Sequence, residues 1–256
     1  MSESNESRVA VIAGASGGIG GATAKRLARD GYDLALSYRS NEAAAREIAD
    51  AVEAEGQTAR LYKATLAEYG QVSSMIEGIV ADFGRLDASI YAAGPYLPQR
   101  WVTEFEPTQM DDILRDDTVS CWNLVHASVL PLRETKGAIV SVSTPAVRRY
   151  ARKDLLSSVP KAAIEALIRA VASEEGRFGI RANAVAVGAL EDGMYHRLVE
   201  EKDFDEKWIE ITKSVIALGR LGNATDIAEA IAFLVSPERA GYVSGQTLTV
   251  DGGFAL

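Results

Sequence analysis

An apolar run from Arg8 to Gly14 opens directly into Ala15-Ser16-Gly17-Gly18-Ile19-Gly20, and a helix-forming stretch follows at once to about Asp30. This junction constrains the fold more than any other part of the chain. A buried-type strand feeding a tight turn and then a helix is the start of a βαβ unit, because parallel strands need a crossover of helix length between them. Gly14, Gly18 and Gly20 permit the turn and keep side chains out of its mouth. The helix leaving the turn offers unpaired N–H groups and the positive end of its dipole to whatever sits there. A diphosphate suits that place, with Ser16 and Ile19 adding contacts beside the glycines.

The same alternation runs on to the end. Strand-type runs are expected at Asp33–Tyr38, Thr58–Ala64, Leu86–Gly94, Gly137–Thr144, Ile180–Val187 and Gln246–Gly253. Helical stretches separate them at about Asn41–Glu55, Tyr69–Phe83, Met110–Leu130, Pro160–Glu175 and Thr225–Leu234, several stopped by a glycine. No repeat or linker interrupts the pattern. It predicts one α/β domain over residues 1–256, a Rossmann-type doubly wound parallel sheet of seven strands flanked by helices, with ligands at the carboxyl ends of the strands.

Composition narrows the partners. A net charge of -9 argues against nucleic acid or an anionic membrane as the main partner. No apolar stretch approaches the ~20 residues that span a bilayer. The opening residues MSESNESR lack the basic end and apolar run of a secretory signal, which points to the cytoplasm. The one cysteine, Cys121, forms no intrachain disulfide and reads as a small buried residue, since neither His126 nor His196 is spaced to activate it.

The spacing Gly14-x-x-x-Gly18-x-Gly20, the run Asn183-Ala184-Val185-Ala186-Val187-Gly188, Lys161 with the helix after it, and the stretch Gly219–Gly253 together resemble the short-chain dehydrogenase/reductase family. The resemblance covers nearly the whole chain and is nearest in kind to the 3-oxoacyl-carrier-protein reductases. It implies a nicotinamide dinucleotide, a small-molecule carbonyl substrate and a homodimer or homotetramer. No acid ends the second strand, where a carboxylate would hold the ribose diol of NAD; Arg39 and Ser40 stand there and favour the 2′-phosphate of NADP(H). The resemblance places Thr65 near the adenine, Ala93 and Gly94 against the ribose, and Gly188 at the exit of the sixth strand.

At the chemistry the pattern departs from the family, whose members use a Ser, a Tyr, a Lys and an Asn. Lys161 matches the Lys that binds the nicotinamide ribose. Four residues earlier stands Ser157 in place of the Tyr. Thr144, with Ser143 beside it, takes the place of the Ser that polarises the carbonyl. Asp117, next to Asp116, replaces the Asn and reads either as a charged group in the cleft or as a polar residue in a helix kink. Tyr91-Ala92 replace an Asn pair, and Asp192 replaces a Thr near the carboxamide. Ser157 is a weak acid and short; it reads as a cap of the helix holding Pro160, or as a donor acting through water. Tyr150, among Arg148, Arg149 and Arg152, is the first candidate for a relocated proton donor, ahead of Tyr96, Tyr195 and His196. Residues 190–215, with Met194, Tyr195, Leu198, Phe204, Trp208 and Ile211, form a substrate lid or an ordinary amphipathic surface; Tyr96, Leu97 and Trp101 extend it. Two functions follow. One is an NADP(H)-dependent reductase of a fairly large acyl, polyketide-like or aromatic carbonyl with non-standard proton donation. The other is a cofactor-binding protein without redox turnover, such as a dehydratase, cyclase, isomerase or pseudoenzyme partner.

Overall fold

The computed structural model describes residues 7–200 and 204–256. Met1–Glu6 and the side chains of Met194 and His196, on which some of the expectations above fall, lie outside the described residues.

Seven parallel strands form one sheet in the order β3-β2-β1-β4-β5-β6-β7. They are β1 (Arg8–Ala13), β2 (Tyr32–Tyr38), β3 (Ala59–Lys63), β4 (Ala88–Tyr91), β5 (Ala138–Ser143), β6 (Arg181–Val187) and β7 (Thr247–Val250). Their central members are buried along nearly their whole length, as strands covered on both faces must be. On one face pack α1 (Gly18–Arg29), α2 (Glu42–Ala54) and α9 (Ala224–Val235), through Leu27, Val52 and Ile231. On the other lie α3 (Tyr69–Phe83), α5 (Ser120–Thr135) and α6 (Leu155–Glu175), through Ile79, Leu124 and Ile164. Strand order reverses between β1 and β4, which opens a crevice at their carboxyl ends.

Three elements depart from the sequence expectation, each for a local reason. The strands stop sooner than their apolar runs; β4 covers only Ala88–Tyr91, because the chain beyond it turns across the end of the sheet. The expected single helix over Met110–Leu130 is α4 (Pro107–Ile113), a π-helical turn at Leu114–Val119 and then α5, so the axis carries an extra residue at Asp117. Helix α6 begins at Leu155, not at Pro160. Proline is tolerated as its sixth residue; only the Leu156 carbonyl loses an intrahelical donor, and the Pro160 carbonyl accepts from Thr118 Oγ1 at 3.3 Å. The cap of α6 is therefore Asp154 rather than Ser157 or Ser158, and Ser157 lies inside the first turn.

Between β6 and α9 the chain forms α7 (Met194–Glu200) and α8 (Glu206–Val215). Phe204 stacks on Trp208 with ring centroids 3.4 Å apart, and Tyr195 lies 6.3 Å from Phe204. This aromatic group occupies the expected lid. Leu198 beneath it is buried, and Ile211 is exposed.

Candidate active site

The turn after β1 is built around backbone proximity. Gly14 has φ +85°, and a Cβ there would lie 2.8 Å from Ala92 O and from Ala93 backbone atoms. A Cβ on Gly20 would fall 2.2 Å from Gly14 O. These two glycines let α1 press onto the turn and the turn press onto the exit of β4. The N-cap of α1 is Gly17, which supplies no side chain to the first-turn N–H groups, and no acid stands in that turn. The helix end is thus left with donors for an anionic ligand. Gly14, Ser16, Arg39, Ser40, Thr65, Ala93 and Gly94 all line one cavity of about 260 Å³. A Cβ on Gly94 would enter open space, so packing within the chain does not demand glycine there. The unoccupied donors at the helix end and the side-chain-free turn suit the phosphates of a dinucleotide.

Two details of this cavity were hidden in the sequence. Asp116 also lines it and faces Arg39 at 3.9 Å, an exposed and loose pair. Asn41 caps α2, its Oδ1 accepting from Ala44 N–H at 3.1 Å, so only its amide NH₂ remains to donate. Gly188 has a packing role. A Cβ there would lie 2.6 Å from the Asp251 Cα, so its glycine lets β6 pass β7. Asp192 is committed as well: its Oδ2 accepts from Ala224 N–H at 2.6 Å at the start of α9.

Lys161, 7 % exposed, reaches from α6 into the end of the crevice. Its Nζ donates to Asp117 Oδ1 at 2.9 Å. The π turn places Asp117, fully buried, on that inner face. Asp117 thus sits in the helix irregularity and pairs there with Lys161. Tyr91 completes the group; the sequence marks it only as a departure from the family's Asn pair, with no role assigned. Its hydroxyl is shared between Asp117 Oδ1 at 3.0 Å and Asp117 O at 2.9 Å, and its ring centroid lies 5.5 Å from Lys161 Nζ. Burial, then the neighbouring Asp117 charge, hold the Tyr91 hydroxyl well above the ordinary tyrosine pKa. Asp117 Oδ2 is buried without a protein partner, while Lys161 keeps further N–H groups for a ligand.

At the end of β5 the two adjacent hydroxyls divide. Ser143 is buried and donates to Glu165 Oε1 at 2.7 Å. Thr144 accepts from Ala146 N–H at 3.2 Å, which leaves its own O–H free to donate to a carbonyl oxygen. Of the two, Thr144 is the hydroxyl left with a donor to offer.

Ser157 sits one helical turn before Lys161, and its backbone N–H donates to the Asp154 carbonyl at 3.2 Å. Gln99 Nε2 donates to Asp154 Oδ1 at 3.2 Å from the loop after β4. Burial pushes the Asp154 carboxyl up to about 6, against the polar groups of Gln99 and Ser157 that favour its ionised form. Neither Asp154 nor Gln99 drew notice in the sequence, although Asp154 precedes Ser157 by only three residues.

Tyr150 is more than half exposed, and its arginines turn elsewhere. Arg149 bonds the Phe254 carbonyl and lies over the Phe254 ring, and Arg148 faces Glu165 at 3.7 Å. The structure does not bring Tyr150 together with Lys161, Thr144 and Ser157. Cys121 is fully buried, and burial pushes its thiol up to about 12, as suits a packing residue.

Comparison with known proteins agrees with this fold. Residues 14–255 match the family model described as enoyl-(acyl carrier protein) reductase. The chain is 31% identical to 3-oxoacyl-[acyl-carrier-protein] reductase FabG of Staphylococcus aureus over 96% of its own length and 98% of that protein. Among solved structures, a short-chain dehydrogenase of Burkholderia cenocepacia in complex with NADP superposes with a TM-score of 0.87 at 28% identity, over 97% of this chain and 98% of that one. Carveol dehydrogenase of Mycobacterium avium in complex with NAD gives 0.88 at 25% identity, over 96% and 97%.

Proposed function

This chain belongs to the short-chain dehydrogenase/reductase family, and on that premise we propose that it is an NADP(H)-dependent oxidoreductase reducing the carbonyl of a fairly large acyl, polyketide-like or aromatic small molecule, with a proton supply other than a tyrosine at position 157. One observation carries the reading: the glycine cradle follows β1, Lys161 is held by Asp117 beside Tyr91 at the end of β4, and Thr144 follows β5, although the tyrosine position is a serine.

The bound nucleotide supplies a hydride. The chain does the rest. The α1 N-terminus and Gly14, Ser16, Gly18, Ile19 and Gly20 hold the diphosphate; Arg39 and Ser40 hold the 2′-phosphate; Thr65 faces the adenine; Ala93 and Gly94 leave room for the ribose. Lys161, held by Asp117, donates to the nicotinamide ribose. Thr144 donates to the substrate oxygen and polarises the carbonyl. A missing general acid lowers rate by roughly 10²–10⁴ while the gain from holding reactants together remains. The Phe204–Trp208 stack supports a bulky acyl or aromatic substrate, and the 3-oxoacyl group in the name of the Staphylococcus aureus relative is one such carbonyl. Exposed Trp122 and Leu130 on α5 support pairing with a second copy of the chain. The buried single thiol supports a cytoplasmic setting, and among the described residues no helix is long and apolar enough to cross a membrane.

A second reading rests on the serine at position 157: the same cradle in a protein that binds the nucleotide without redox turnover, as a dehydratase, cyclase, isomerase or pseudoenzyme partner. Titration calorimetry with NADPH and NADH, followed by absorbance at the nicotinamide band with a panel of ketones, separates the two. Preferred binding of NADPH with ketone-dependent loss of absorbance supports the reductase. Binding without consumption supports the second reading, and no binding of either nucleotide defeats both.

A further inference from the structure

We propose that Arg149 is a positioning residue that clamps the turn holding Thr144 to residues 251–256, and through them to the end of α8, so that it sets both the aim of the Thr144 hydroxyl and the width of carbonyl substrate the site accepts. The proposal rests on the reductase reading, in which Thr144 meets the substrate oxygen, and deepens it. Its basis is an unbroken run of contacts between segments far apart in the chain. The first link is the turn that leaves β5. Thr144 Oγ1 accepts from Ala146 N–H at 3.2 Å. The Pro145 carbonyl accepts from Arg148 N–H at 2.9 Å and from Arg149 N–H at 3.0 Å. The backbone of Arg149 therefore closes the turn that starts at Thr144, and a shift of one is passed to the other.

The second link is the Arg149 side chain. Its guanidinium donates to the Phe254 carbonyl, and to Leu256 O at 3.3 Å, and lies 5.0 Å from the Phe254 ring centroid. The third link is the packing of residues 251–256 on the end of α8. Asp251 folds this stretch, its Oδ1 accepting from Gly253 N–H and its Oδ2 from Ala255 N–H, each at 2.8 Å. The Gly252 carbonyl accepts from Leu218 N–H at 2.9 Å. Gly252 has φ +64°, and a Cβ there would fall 2.7 Å from Ile216 Cγ2; Gly253 has φ +86°, and a Cβ there would fall 2.8 Å from Ala217 Cβ. Glycine is what lets this stretch lie against the residues that follow α8.

The two ends of the clamp matter for different reasons. Ile216 is buried directly after α8, and α8 carries Trp208 with Phe204 stacked on it. On the reductase reading the substrate lies between that aromatic pair and Thr144, so the clamp fixes the space between them. A misplacement of about 1 Å at a reacting group can cost on the order of 10²-fold in rate, so holding Thr144 still is worth more than the contacts themselves. Arg149 is exposed, whereas the packing around Ile216 is buried. The link can therefore be cut at the arginine without opening the core.

The test reads the clamp first without turnover. In ligand-free Arg149→Ala, amide hydrogen exchange should quicken by about tenfold or more at 145–150 and, together with it, at 216–218 and 251–256, while the sheet and the urea midpoint stay as in wild type. Phe254→Ala should give the same pattern, and the double variant should add nothing further. In turnover with NADPH, Arg149→Ala should lose about tenfold in kcat/KM toward acetophenone and less toward the wider 1-acetonaphthone, with NADPH affinity in calorimetry unchanged. Arg149→Lys, which can still donate to the Phe254 carbonyl, should recover part of both effects. Faster exchange confined to 145–150 overturns the clamp and leaves the reductase reading intact. Unchanged kcat/KM toward both ketones overturns the positioning of Thr144. A wild type that binds NADPH yet reduces neither ketone overturns the reductase reading and the Thr144 role with it, while the exchange pattern still decides the clamp.

Discussion

The ammonium of Lys161 lies 2.9 Å from Asp117 Oδ1, with the two side chains 9 % and 0 % exposed, so the lysine nearest the chemistry is one half of a buried ion pair. Such a pair stabilises little as a whole, because desolvation offsets the attraction, but removing one partner strands the other charge. Lys161→Met should therefore destabilise the fold by about 3–5 kcal/mol in urea unfolding. The double variant Lys161→Met with Asp117→Asn should recover much of that loss, since Tyr91 still donates to the residue at 117. Additive losses would mean that the two groups do not share a charge pair.

Two glycines of the nucleotide cradle should respond in opposite ways. Gly20→Ala sets a Cβ 2.2 Å from Gly14 O, which backbone must move to relieve; a loss on the order of 3 kcal/mol in stability is expected. Gly94→Ala points into open space and should leave the melting temperature within a degree or two, while NADPH affinity in calorimetry drops by about tenfold or more. Equal affinity for Gly94→Ala would remove that position from the binding surface.

Arg39 and Asp116 set a balance of charge at the mouth of the cavity. Arg39→Ala should weaken NADPH by about 10–100-fold and leave NADH nearly unchanged, because a single charge-assisted pair to phosphate is lost. Asp116→Asn should act in the other direction: it removes a carboxylate that both neutralises Arg39 and repels a 2′-phosphate. Competition binding of the two nucleotides across 50–500 mM salt checks this, since an exposed contact must weaken as salt rises.

Wherever backbone geometry decides, the sequence was readable. Gly14 and Gly20, placed between an apolar run and a helix, allowed one fold and one kind of ligand, and the structure gives both glycines a steric reason. Helix α3 runs over the very residues its apolar spacing marks, Tyr69 to the stop at Gly84. What stayed hidden depended on contacts between distant segments. Tyr91 reads as an ordinary strand residue until the π turn brings Asp117 against its hydroxyl. Asp154 looks like a loop acid until Gln99, 55 residues away, closes over it. Pro160 misled directly, because its preference for a first turn suggested a helix start that tertiary packing had moved to Leu155.

The raised carboxyl of Asp154 has a consequence for stability that is independent of any catalysis. Its pKa is about 6 in the folded protein, against an ordinary value near 3.9 in the unfolded chain. Between those values the folded state binds more protons than the unfolded one, so the stability this residue contributes is present below about pH 4 and declines as pH rises through 6. At neutral pH the buried carboxylate is a burden, worth up to about 3 kcal/mol by linkage. Asp154→Asn keeps the size and the contact with Gln99 but cannot ionise. Its unfolding free energy relative to wild type should improve from pH 4.5 to about pH 6.5 and level off above that, measured from urea curves at each pH. Parallel curves for the two proteins would show that Asp154 ionises as readily in the fold as in water, and the buried site drawn around Gln99 and Ser157 would be wrong.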